Sequence, residues 1–375
     1  MGRLQVVGLL LIVTGVFVAS NIYTLIPIYS EIAQGIHASE EQIIWGSSIF
    51  TVCYAFGLLL FGPLSEQYGR KKVIVSGLLM SGLSTLLVGL SFNIESLFIF
   101  RGVQGFFLGS FAPVAFAYIF ELYSDEKQRT LILSLINCGF LVAGIFGQIV
   151  SSALTLFYGW EIVFYVFAVF YIALFAFSNK VHIKTAVYPG QGFHIFKVLT
   201  IPFSNKQLFN SYLITFTLLL SFIAFYDSLG RMLSADGFTD EELIIIRTIG
   251  LAGTILAVFT GKIIEKLRLK MTMIMGILLC LSSLLLFILF SEYPVMITVL
   301  SIPFVASIAL LIPSVISFIG SAAKAQRGLA TSFYSFSLLI GASLGPVLAA
   351  HLSFTFVITV LLAFFCCNLF LVLKM

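Results

Sequence analysis

The chain predicts an all-α polytopic membrane protein, with twelve transmembrane helices in two pseudo-symmetric six-helix bundles, and three observations carry that expectation. The 375 residues are 60% hydrophobic and only 10% charged, against roughly 25% charged in an average soluble domain. Apolar runs long enough to cross a bilayer, which takes about 20 residues of helix, recur from the first residues to the last. The sequence also repeats itself after about 200 residues: Ser39-Glu40-Glu41-Gln42 returns as Thr239-Asp240-Glu241-Glu242, both in the form of a helix capping box.

The first span, residues 5 to 28, is a full-length apolar run with no small-residue cleavage pattern before Asn21, so it is expected to act as its own insertion signal. The second, 42 to 62, opens at the Ser39 cap and ends at Gly62-Pro63. Gly62 to Val73 is read as a tight, charged hairpin, after which span 3 runs from 73 to 91. Span 4, 96 to 120, carries Arg101 near its start and Pro113 further in. Span 5, 131 to 152, follows Gln128-Arg129 and keeps Gly139, Gly144 and Gly147 as a small-residue face for close helix packing. Span 6 covers 160 to 178. Residues 179 to 206 are polar, hold Pro189, Gly190, Gly192 and Pro202, and read as a linker between an N-terminal bundle, 1–178, and a C-terminal bundle, 207–375.

The second set repeats the first. Span 7, 207 to 230, contains Asp227; span 8, 241 to 261, opens at the Thr239 cap; span 9 is 272 to 290. Span 10, 295 to 319, brings Pro313 to the position of Pro113, and Gln326-Arg327 after it matches Gln128-Arg129. Spans 11 and 12 are 329 to 351 and 354 to 373.

A net charge of +4 raises the question of nucleic acid, but orientation follows where Lys and Arg fall along a membrane chain. With Met1 inside the cell, every Lys and Arg except Arg101, Arg231 and Arg247 lies on the cytoplasmic side. A multi-pass protein of the cell (plasma) membrane with both termini in the cytoplasm is therefore expected, and no nucleic-acid partner. Cys53, Cys138, Cys280, Cys366 and Cys367 sit in apolar runs without metal or redox spacing, and His37, His182, His194 and His351 show no ligand spacing. Neither a metal nor a cofactor is expected. A nucleotide-binding loop of the P-loop type is absent from the sequence, so ATP is not expected to drive the protein directly, and it is not read as an enzyme.

Gly62-Pro63-Leu64-Ser65-Glu66-Gln67-Tyr68-Gly69-Arg70-Lys71-Lys72 resembles the signature loop between the second and third spans of the major facilitator superfamily, with Glu66 where that family usually has Asp. A degraded copy, Gly261 to Lys270, sets Gly62 on Gly261 and Glu66 on Glu265, with Arg268 replacing the second Gly. Arg101-Gly102-Val103-Gln104-Gly105 resembles the span 4 motif of the same superfamily, whose arginine is implicated in proton coupling. The Gly-rich span 5 motif of antiporters is only partly present, since Gln148 follows Gly147 where a Pro is expected; its nearest intact copy is Gly341 to Pro346 in span 11. Over the whole chain the resemblance is greatest to the twelve-span drug/proton antiporter branch. It implies parallel six-helix repeats that rock about a substrate site near the midplane.

The residues give these expectations a chemical form. Gly62 and Gly69 permit close approach and a tight turn, Glu66 can accept from helix N-terminal amides, and Arg70 can pair with a carboxylate at a neighbouring helix end, for which Glu121 is the candidate. These five are expected to gate the cytoplasmic side. Arg101 costs a few kcal/mol at its depth unless it faces protein or water; with Asp227 it is expected to serve proton coupling. Asp227, one turn before Arg231, also fits a self-neutralising helix pair. Asn21, Tyr54, Gln104, Tyr118, Asn137, Tyr226 and Tyr334 are the candidate cavity residues. Embedded Arg101, Arg231 and Arg247 against Asp227 favour a neutral, zwitterionic or anionic substrate over a lipophilic cation. The expected activity is proton-coupled export of a small organic molecule, a drug or a secreted metabolite of the metallophore type. Import of a nutrient by the same fold, or sensing without transport, stay open. The expected partners are that substrate, protons and membrane lipid, with the protein a monomer.

Overall fold

A computed structural model of the protein describes residues 2–181, 183, 200–290 and 293–375, without the side chains of residues 240, 241, 294 and 325. Among them are twelve helices long and apolar enough to cross a membrane: α1 Arg3–Ser20, α2 Glu40–Tyr68, α3 Arg70–Gly89, α4 Ile94–Leu122, α5 Glu126–Tyr158, α6 Glu161–Val181, α7 Lys206–Ala235, α8 Glu242–Leu267, α9 Leu269–Leu289, α10 Val295–Ala322, α11 Arg327–His351 and α12 Phe354–Leu373. The described residues contain no strand. Most of the expected linker, with His182 and His194, lies outside the described residues.

Local chemistry explains the helix ends. Ser39 and Thr239 form the expected capping boxes, each hydroxyl accepting from the amide three residues on while Gln42 or Glu242 reaches back to the cap amide. Several boundaries differ from expectation: α5 extends to Tyr158 and α8 to Leu267, the latter through a 3-10 turn at Ala252–Thr254, and α1, α2 and α4 depart further. α1 stops at Ser20 and not near 28, and a turn leads through the 3-10 segment Ile26–Ile28 into the short helix Tyr29–Gly35; Pro27 sits in the first turn of that segment, where its missing amide proton costs no hydrogen bond. α2 does not end at Gly62 but runs through Pro63 to Tyr68, so the hairpin shrinks to one residue, Gly69, at φ 93°. α4 consists of two pieces, Ile94–Leu108 and Phe111–Leu122. The break precedes Pro113, which cannot bond the carbonyl of Gly109 and whose ring crowds it.

The chain packs as two compact units. The first comprises Met1–Ser124, Gly139–Leu199 and Gln326–Ser332; the second comprises Asp125–Cys138, Thr200–Ala325 and Phe333–Met375. Within the first, Gly105 and Gly109 bring α4 onto the α2 backbone, where a Cβ at either would collide with the carbonyl oxygen of Phe50 or Tyr54. Gly139 and Gly147 seat α5 against Val16 and Ser20 of α1. Within the second, Gly341 and Gly345 seat α11 against Phe216 and Ile223 of α7. The sequence repeat is thus also a repeat of packing: α5 meets α1 in one unit as α11 meets α7 in the other.

Candidate functional site

The turn after α2 positions the first cluster, in the first unit. Arg70, the first residue of α3, is 3% exposed and is held at three points. Its Nε donates to Glu121 Oε1 at 2.9 Å, its Nη2 lies 3.5 Å from Glu66 Oε1, and its Nη1 donates to Ser65 Oγ and, at 3.3 Å, to the Gly62 carbonyl. Glu66 Oε1 in turn accepts from the Gly328 amide at 2.6 Å, in the first turn of α11. That segment is fastened further by Thr331, whose hydroxyl donates to the Pro113 carbonyl at 2.9 Å, and by the Arg327 guanidinium 5.3 Å over the Phe120 ring. A side chain at Gly62 would collide with Ser332, so the glycine admits α11. Gly62, Glu66, Gly69, Arg70 and Glu121 are thus drawn into one cluster, with Ser65 and Gly328 as members the sequence did not single out.

A comparable contact occurs in the second unit, at the degraded copy of the loop. Lys127 Nζ lies 3.2 Å from Glu265, and the Lys127 backbone lies against Gly261. Both side chains are about half exposed or more, so this pair is screened by solvent and weak.

The second cluster sits in the core of the first unit. Arg101 is completely buried. Its Nη1 donates to Gln104 Oε1 at 2.6 Å, its Nη2 reaches the Asn21 carbonyl at 3.5 Å, and its guanidinium carbon lies 4.0 Å from the Phe50 ring centroid. Gln104 Nε2 donates to Asn21 Oδ1 and to Thr85 Oγ1, both at 2.9 Å. Asn21 Nδ2 donates to the Tyr171 hydroxyl, which donates at 2.8 Å to the Phe17 carbonyl. Asn21 and Gln104, expected along a cavity, therefore hold the arginine. Thr85 and Tyr171 were not legible as site residues, because Thr85 is one of several small hydroxyl residues in its span and Tyr171 one of many aromatic residues in its own.

The other candidates are dispersed. Tyr54 is buried and stacks near Phe50 at 5.9 Å. Tyr118 exchanges hydrogen bonds with the backbone of Ile183, accepting from its amide at 2.8 Å and donating to its carbonyl at 2.7 Å. In the second unit, Asn137 donates to the Leu133 carbonyl of its own helix at 2.7 Å, and Tyr334 reaches the Ile312 carbonyl at 3.5 Å. Tyr226 is buried between Phe222 and Phe225. Asp227 Oδ2 accepts from Arg231 Nε at 3.2 Å, both side chains being partly exposed. The described residues hold no group of three or more His, Cys, Asp or Glu arranged to bind a metal.

Comparison with known proteins agrees with this architecture. The family model described as "Major Facilitator Superfamily" matches residues 11–239 and 232–375. Multidrug resistance protein 3 of Bacillus subtilis is 29% identical over 128 residues, 34% of this chain and 25% of that protein. The 4-hydroxybenzoate transporter PcaK of Pseudomonas aeruginosa is 36% identical over 106 residues, 28% of this chain and 23% of its own length. The chain thus spans only about a quarter of the length of these relatives. The crystal structure of the human organic anion transporter MFSD10 (TETRAN) superposes with a TM-score of 0.76 over 99% of this chain and 100% of that one, at 14% identity, and so shares the fold. With twelve apolar helices among the described residues, an internal six-helix repeat and a family match that runs through both halves, the chain belongs to the major facilitator superfamily of membrane transporters.

Proposed function

We propose that the protein is a proton-coupled exporter of a small organic molecule, a drug or a secreted metabolite, neutral, zwitterionic or anionic. It works as a monomer in the cell membrane with both termini in the cytoplasm. The observation that carries the direction is the stretch of similarity to a protein named for multidrug resistance, in a chain of transporter family and fold. Under this reading the Arg70 cluster is a latch. A helix N-terminus carries about half a positive charge, and Glu66 meets it at Gly328. Arg70 and Glu121 hold Glu66 in place, and removing one partner of such a buried pair costs about 3–5 kcal/mol. The transport cycle then requires α11 to leave Glu66 and return. Arg101 and Asp227 carry proton coupling, while Asn21, Tyr54, Gln104, Tyr118, Asn137, Tyr226 and Tyr334 supply the polar contacts of the substrate path.

A second reading, import, is favoured by the similarity to the 4-hydroxybenzoate transporter. Inverted membrane vesicles with an acidic interior separate the two. Uptake of labelled compounds into them, abolished by a protonophore and indifferent to ATP depletion at a fixed gradient, is the expected result. Accumulation confined to right-side-out cells would establish import, and arrest by sodium replacement instead of protonophore would overturn the proton assignment.

A further inference from the structure

We infer that Arg101 is the receptor for a carboxylate on the transported molecule. This rests on the transporter reading above and adds to it the charge class of the cargo and the atoms that meet it.

Arg101 is a fully buried cation whose contacts are all neutral: Gln104 Oε1, the Asn21 carbonyl and the Phe50 ring. None of the ion pairs among the described residues includes it. Buried charges are ordinarily paired, and an arginine inside the membrane costs a few kcal/mol or more. The fold does not require that cost. One repeat length on, Ser301 stands at the position of Arg101 and Phe304 at that of Gln104. The second unit fills the place with rings, Phe304 and Phe287 lying 4.5 and 4.7 Å from Phe225. Other polar ties recur in both repeats: Asn21 with Tyr171 joins α1 to α6 as Thr217 with Asn368, at 2.7 Å, joins α7 to α12. The arginine and the glutamine that orients it are specific to the first unit.

Its geometry fits a carboxylate. A guanidinium binds a carboxylate through two parallel N–H groups. Gln104 occupies Nη1, and Gln104 is itself fixed by Thr85 and Asn21. The Nε–Nη2 edge is buried and under-bonded, since Nε has no hydrogen-bond partner and Nη2 makes only the 3.5 Å contact. The arginine is thus oriented from one side, and the buried edge that would take both oxygens of a carboxylate lacks the two acceptors such a group supplies, so the cargo reaches it when the helices around it part.

The test uses the full-length protein in nanodiscs of phosphatidylcholine and three probes of one shape at neutral pH: benzoate, benzamide and benzamidine. Benzoate is expected to raise the thermal unfolding midpoint by several degrees, and the neutral and cationic probes are not. Arg101→Gln abolishes the benzoate response. Gln104→Glu places a fixed carboxylate at Nη1 and gives up the two hydrogen bonds that Gln104 Nε2 donates, so it abolishes the benzoate response whichever way the ligand-free midpoint moves; it decides the matter alone if Arg101→Gln fails to fold. Equal shifts with benzoate and benzamide, no shift with benzoate, or a benzoate shift that survives Gln104→Glu would overturn the inference. Absent export in inverted vesicles with benzoate selectivity intact fails the exporter reading alone, and export with no charge selectivity in binding fails the carboxylate receptor alone.

Discussion

At the scale of single residues, the two copies of the loop pose a conformational contrast. Gly69 has φ 93° and ψ 138°, and Arg268, its equivalent in the second repeat, has φ 64° and ψ 158°. The backbone keeps the same turn whichever residue occupies it, although a side chain at positive φ costs of order 1–3 kcal/mol. Gly69→Leu is therefore expected to lower stability by about that amount and to abolish flux normalised to surface-expressed protein, because the turn aims Arg70 at Glu66 and Glu121. Arg268→Gly has the opposite sign. Relief of strain is offset in part by the roughly 0.5–1 kcal/mol that glycine loses in chain entropy, which leaves a net gain of about 1 kcal/mol in denaturant unfolding of the detergent-solubilised protein. A loss of stability in Arg268→Gly would show that the arginine side chain contributes more than its backbone costs.

At the scale of helices, close approach without a Cβ sets which surfaces meet. Gly105 and Gly109 are spaced as small-xxx-small, the pattern that lets two membrane helices touch backbone to backbone. A Cβ at Gly109 would lie 2.5 Å from the Tyr54 carbonyl oxygen and 2.9 Å from the Cα of Gly57. Gly109→Leu is expected to separate α2 from α4 and to remove the folded, monodisperse species in fluorescence size-exclusion chromatography; an unchanged elution profile would refute the packing role. Much at this scale was legible in the sequence. The Ser39 and Thr239 caps, the count of spans and the small face of α5 follow from local rules that act within a few residues. The end of α1 at Ser20 and the continuation of α2 past Gly62 were not, because an apolar run or a glycine-proline pair does not reveal which neighbouring helix satisfies the chain there. Glu121 could be named as a partner for Arg70 because both were expected at cytoplasmic helix ends. Gly328 and Tyr171 could not, since an amide and an isolated tyrosine acquire their roles only through tertiary contact.

At the scale of the molecule, the distribution of embedded charge bears on what the protein carries. The sequence places Arg101, Arg231 and Arg247 against Asp227, and the structure pairs Arg231 with Asp227 at 3.2 Å. That pair is neutral as a unit, and Arg101 and Arg247 belong to none of the ion pairs among the described residues. In a low-dielectric interior an unbalanced positive charge is felt strongly, by several kcal/mol at contact distances for an effective dielectric of about 20. A lipophilic cation meets that potential as repulsion. The expected outcome in a pump-deficient host is thus little or no protection against cationic dyes, beside measurable export of carboxylate-bearing or zwitterionic compounds. Resistance to cationic dyes that disappears in Asp227→Asn would reverse the assignment: it would make Asp227 the cation site and reduce Arg231 to the group that occupies it between cargoes.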